Sequence, residues 1–84
     1  MNTYVTGPLQ WRILEELARC VDHGRMPPEE FAAYIATLAE VFPCAKCRTS
    51  LGYYIRLYGL SQIQRGKALP WLYNLHTFVN LKLG

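Results

Sequence analysis

Four runs of apolar residues, spaced three or four apart and bounded by proline or glycine, divide this chain of 84 residues. Such spacing lines the apolar side chains along one stripe of a helix, because about 3.6 residues complete a turn. In the first run, over residues 8–21, the stripe is Trp11, Leu14, Leu17, Ala18 and Val21, Pro8 suits an early helical position, and His23-Gly24 closes the segment. Pro27-Pro28-Glu29-Glu30 opens the second, since prolines and acidic residues suit a first turn with free N–H groups. Its stripe is Phe31, Tyr34, Ile35, Leu38, Val41 and Phe42, and Pro43 ends it. The third begins at Cys44 and runs through Leu51, Tyr54, Ile55 and Tyr58 to Gly59, with Gly52 inside it marking a close backbone approach. Residues 59–67 break the pattern and form a connection with a short helical turn. Pro70 starts the fourth, where Trp71, Leu72, Leu75, Phe78, Val79 and Leu83 cover one broad face and Gly84 is the stop. No run alternates as a half-buried strand does, so the predicted fold is all-α: one domain over residues 1–84, a four-helix bundle with antiparallel neighbours.

A bundle this short has a high ratio of surface to volume, and small domains commonly add a disulfide, metal, cofactor or partner subunit to a marginal core. Apolar residues make up 51% of the chain and charged ones 18%, a folded composition rather than a disordered one. The net charge is only +3, and the lysines and arginines are scattered, whereas nucleic-acid binding calls for a basic stripe or patch. No uncharged run approaches the roughly 20 residues of a membrane span, and the start MNTYVTGPLQW lacks a basic segment followed by an apolar one. The expectation is a soluble protein without a visible address, binding neither nucleic acid nor membrane.

Two of the three cysteines, Cys44 and Cys47, stand in VFPCAKCRTS. At i and i+3 of a first helical turn they share a face and are close enough for a disulfide. The free N–H groups of that turn, with Lys46 and Arg48, favour thiolate, which dithiol exchange requires. Zinc is the competing use: Cys20 and His23 form a C-x-x-H that, with Cys44 and Cys47, would complete four ligands. Packing without chemistry is the third. A thioredoxin-like arrangement is disfavoured, since its redox pair follows a strand. Cys20 alone lies in the apolar stretch LARCV and reads as a small buried hydrophobe.

His76 and Asn80 are four apart on the fourth helix, with Tyr73 one turn earlier, so hydrogen-bonding side chains line one strip of an otherwise apolar element. Trp11 and Trp71 read by default as core aromatics. A dithiol pair, an excess of aromatics and a polar strip together describe a bundle built around a planar cofactor.

Three motifs carry a resemblance. Gly7, Pro8 and Trp11 form G-P-x-x-W; Phe42, Pro43, Cys44 and Cys47 form F-P-C-x-x-C; and residues 71–84 form W-L-x-x-L-H-x-x-V-N-x-K-L-G. In order and spacing the chain resembles the Erv/ALR family of FAD-linked sulfhydryl oxidases from Gly7 to its last residue. The resemblance implies a four-helix bundle with an additional short helix near residues 61–67, FAD held noncovalently at the bundle mouth, and a homodimer. By matching positions, Cys47 would lie against the flavin ring as the charge-transfer thiolate and Cys44 would exchange with an incoming dithiol. Gly7 and Trp11 would pack at the flavin site, and His76, Asn80 and Lys82 would hold the adenosine and ribose-phosphate portion. The implied activity is oxidation of a dithiol in a partner protein, such as a small thioredoxin- or glutaredoxin-like relay, with electrons passing through FAD to oxygen to give hydrogen peroxide. No resident metal is implied.

The chain departs from the family pattern at Glu15 and Thr77, where histidine and asparagine are common, and at Cys20, where tyrosine is common. Its compactness and its Gly-Pro before Trp11 look most like the minimal enzymes of large DNA viruses, which implies host cytoplasm or virion; a cellular relative would point to the mitochondrial intermembrane space. A noncatalytic helical adaptor, with or without zinc, is the reading from a different functional class.

Overall fold

The computed structural model describes residues 3–42 and 44–83, with side chains at 9–42 and 44–81. Four helices follow one another: α1 (Thr3–Asp22), α2 (Pro28–Val41), α3 (Ala45–Tyr58) and α4 (Ala68–Leu83), with no strand among the described residues. Each helix packs on its sequence neighbours, and α4 closes the ring against α1. The radius of gyration is 12.0 Å, matching the roughly 12 Å of a compact domain this long. No described helix is long and apolar enough to cross a membrane.

Helix ends follow local chemistry where that chemistry is in the adjacent sequence. Gly24, at φ 76°, lets the chain turn back after α1, so that Gly24 N–H bonds the Val21 carbonyl at 3.0 Å and Arg25 N–H that of Cys20 at 2.8 Å. These are the paired bonds of a Schellman ending. Pro28 stands in the first turn of α2 with Glu29 and Glu30, and Gly59, at φ 77°, ends α3 with its N–H on the Ile55 carbonyl at 2.8 Å. The proposed stops at Pro43 and Gly84 lie outside the described residues.

Two starts differ from expectation. α1 begins at Thr3, five residues before Pro8, because a proline so near a helix start forfeits a single backbone bond and its φ is helical. α4 begins at Ala68, ahead of Pro70, because its free N–H groups find an acceptor from another helix. The Asp22 carboxylate, at the end of α1, accepts from Gly66 N–H (2.8 Å), Ala68 N–H (2.9 Å) and Leu69 N–H (3.1 Å). Pro70 then sits in a turn whose missing N–H would have had no intrahelical partner. The additional short helix expected near residues 61–67 takes the form of two successive turns, Ile63 N–H on the Leu60 carbonyl and Lys67 N–H on that of Gln64.

The core draws on every helix: Leu14, Ala18 and Val21; Phe31, Ile35 and Leu38; Leu51 and Tyr54; Trp71, Leu72, Leu75 and Val79. Phe42 and Ile63 join it from the connections. Burying a side chain such as Phe31 or Leu14 contributes roughly 1.5–3 kcal/mol. Trp11, Leu17, Tyr34, Ile55, Phe78 and Met26 pack partly buried around this centre. Val41 and Tyr58, expected inside, are 62% and 51% exposed, since each belongs to the last turn of its helix, past the reach of the facing helices. Cys20 is half-buried rather than a core residue. Gly52 was expected to mark a close approach, but a Cβ there would meet nothing within 4 Å.

Contrasting substitutions test these assignments by chemical denaturation. Asp22→Ala is expected to cost about 1–2 kcal/mol, the upper part of the range for helix caps, because three N–H groups lose one acceptor. Gly52→Ala is expected to stabilise by about 0.5–1 kcal/mol, since helix propensity rises with no steric opposition.

Candidate functional site

Cys44 is the N-cap of α3, one residue before the helix proper, and its Sγ accepts the backbone N–H of Cys47 at 3.3 Å. Serine or aspartate usually fills this capping role through oxygen; here sulfur does so at the positive end of a helix. Both cysteines are free thiols, Cys44 half-buried and Cys47 only 7% exposed. The two therefore share a turn but not an environment.

Their acidities separate accordingly. The Cys44 thiol is lowered from its ordinary value of 9.0, first by the side-chain hydrogen bond from Cys47 and next by the Cys47 backbone N–H, with the Arg48 guanidinium a smaller contributor. Burial, and then the neighbouring Cys44 sulfur, push Cys47 up to about 12. The first proton leaves Cys44, and Cys47 keeps its own to donate toward the resulting thiolate. Arg48 also donates to the Phe42 carbonyl, tying the turn that carries the cysteines to the end of α2.

The second group of expected site residues lies between α1 and α4. Trp11 and His76 stack with ring centroids 4.0 Å apart and planes within 12°. Because Asp22 meets residues 66–69 while Trp11 meets His76, the two helices run antiparallel. Desolvation lowers the pKa of His76 from its ordinary 6.5, opposed by the Glu15 carboxylate facing it from α1, so the neutral imidazole prevails at neutral pH. Glu15 is itself 3.7 Å from Arg19. Asn80 and Tyr73 are exposed on the same helix. Gly7 is within α1, and the Lys82 side chain lies outside the described residues. The cysteine pair and the ring stack meet a common core, in which Cys47 is buried and against which Cys44 and Trp11 pack.

The zinc set does not assemble: among the described residues no three His, Cys, Asp or Glu side chains are grouped to hold a metal ion, and Cys20, His23, Cys44 and Cys47 are all described. The donor set does suit a flavin dinucleotide. A coplanar aromatic pair offers a flat surface to a planar ring, a neutral imidazole and an exposed amide can bond its polar edges, and a dithiol is an electron source. At 4.0 Å the two rings leave no space between them, so a planar group would have to lie on the outside of the stack.

Sequence reasoning missed Asp22, whose partners are 44 to 47 residues away. It also missed Glu15 as a neighbour of His76, although Glu15 stands one helical turn beyond Trp11 and so on the same face. No protein-family model, curated protein or solved structure matches the chain.

Alkylation with iodoacetamide, followed by peptide mapping, checks the inequality of the thiols. Cys44 is expected to react first, with a midpoint below 9.0, while Cys47 stays protected in the folded protein. Cys47→Ala removes the principal hydrogen bond to the thiolate and is expected to move the Cys44 midpoint upward; an unchanged midpoint would contradict it.

Proposed function

We propose that this protein is a FAD-dependent sulfhydryl oxidase working through Cys44 and Cys47. The observation that carries the reading is the asymmetric dithiol at the start of α3: a half-buried sulfur of lowered pKa, hydrogen-bonded by a buried thiol of raised pKa. Such a pair separates the sulfur that meets a partner from the sulfur that stays inside. The family resemblance of the motifs supports the cofactor and the direction of electron flow.

In the oxidised protein the Cys44–Cys47 disulfide receives a thiolate of the donor at Cys44, the more accessible sulfur. The S–S bond breaks, a mixed disulfide forms on Cys44, and Cys47 departs and takes up a proton, which its raised pKa favours in the chain without FAD; beside the flavin the resemblance implies the thiolate instead. The second donor thiol displaces Cys44, leaving the donor with a disulfide and this protein with two thiols. Helix N–H groups and the Arg48 guanidinium stabilise the Cys44 anion as it is released. FAD, when bound, would take the two electrons from the reduced pair and deliver them to oxygen, with two protons, as hydrogen peroxide. Trp11, His76 and Asn80 would hold it, with Lys82 on its pyrophosphate. The donor is a reduced dithiol protein, for which a small thioredoxin- or glutaredoxin-like relay is the fitting class, and the working form is a homodimer.

Purified protein supplied with FAD is expected to show a blue absorption band and to consume oxygen with dithiothreitol. Cys44→Ser should retain the flavin while turnover falls by roughly two orders of magnitude or more, since the sulfur that is attacked is gone. A correctly folded protein that stays colourless with FAD in excess would overturn the reading in favour of a noncatalytic adaptor.

A further inference from the structure

A cleft of about 870 Å³ opens between the end of α3, the 59–67 connection and α4, and none of Cys44, Cys47, Trp11, His76 or Asn80 lines it. Its volume falls in the upper part of the roughly 300–1,000 Å³ range of small-molecule sites. Four aromatic rings shape it. Tyr54 is the hub, with ring centroids 4.6 Å from Tyr58, 5.3 Å from Phe78 and 5.6 Å from Trp71. Tyr54 and Trp71 are buried, whereas Tyr58 is exposed and Phe78 partly so, giving the cleft an aromatic floor and aromatic walls.

Its polar complement is specific in kind. Gln62, Gln64 and Asn74 place amides around it, groups that both donate and accept. Lys67 is the one cation among the described lining residues, and none of them is acidic. In addition, the indole Nε1–H of Trp71, in a residue only 5% exposed, has no hydrogen-bond partner among the described residues. A buried donor without an acceptor costs free energy that a ligand or a water can return.

Rings that stack, amides that match donor and acceptor edges, and a single ammonium are together the chemistry that recognises a nucleobase with a phosphate. One cation supplies one phosphate contact, whereas a nucleic-acid strand calls for a basic stripe. We propose that this cleft binds a mononucleotide, its base against Tyr58 and Phe78 and its phosphate on Lys67. The site is independent of the thiol chemistry and shares no lining residue with the Trp11–His76 stack, where FAD is proposed to bind.

AMP and adenosine are the probes, titrated into the full chain and followed by calorimetry and by the two tryptophan indole N–H signals in NMR, assigned with Trp71→Phe and Trp11→Phe. AMP is expected to bind one per chain and to shift the Trp71 signal, leaving that of Trp11 in place. Lys67→Gln, a change at an exposed side chain, should weaken AMP about tenfold, the size of one charge-assisted hydrogen bond, and leave adenosine unaffected. Absence of AMP binding at millimolar concentration, equal AMP affinity in Lys67→Gln, or a shift confined to Trp11 would each overturn the proposal. The last result would move the nucleotide to the Trp11–His76 stack without touching the thiol reading, and a failed oxygen-consumption assay would leave the cleft as it stands.

Discussion

The Asp22 carboxylate joins the two helices that lie farthest apart in the chain. By accepting N–H groups of Gly66, Ala68 and Leu69 it ends α1 against the start of α4 and fixes how far one slides along the other. That register sets what meets what further along. Counted back from Asp22, Trp11 arrives level with His76, and the coplanar stack is the consequence. A hydrophobic seam alone tolerates sliding, because apolar contact is non-directional. Three hydrogen bonds to one carboxylate do not, since their geometry fails within a fraction of an ångström.

The cysteine pair obeys a similar division between local chemistry and burial. Two identical side chains, three positions apart on one helix start, would have nearly equal acidity if both were solvated. Capping α3 places Cys44 where N–H dipoles converge, and the packing of α3 into the bundle takes Cys47 out of water. The difference between them is therefore a product of the fold, imposed on a symmetrical motif. It leaves the Cys44 sulfur half-buried and takes the Cys47 sulfur inside.

Aromatic side chains are distributed over both sides of α4, and this explains how so small a bundle can carry two distinct surfaces. On one side His76 faces α1 and stacks on Trp11; on another, Trp71 and Phe78 gather around Tyr54 of α3. The stripe Trp71, Leu72, Leu75 and Val79 lies between and seals the core. Reading Trp11 and Trp71 as core residues was right for Trp71 and half right for Trp11, which is only partly buried. The one buried donor left unpaired in that aromatic cluster is the indole of Trp71, and it borders the open cleft.

Helix number, the core stripes, the Gly24 and Gly59 endings and the cysteine spacing were legible from residues alone, because each rests on contacts within a turn or two of the chain. Periodicity places Leu14, Phe31, Leu51 and Leu75 inside whatever bundle forms, since an apolar stripe has nowhere else to go. It does not say how deep each stripe runs, so Val41 and Tyr58 continue the pattern yet face solvent. Tertiary structure alone decided the earlier start of α4, the pairing of Trp11 and Glu15 with His76, and the unequal thiols. Those features depend on groups brought together across 44 or more residues, or on exclusion of water by neighbouring helices, and neither distance nor burial is written in local sequence.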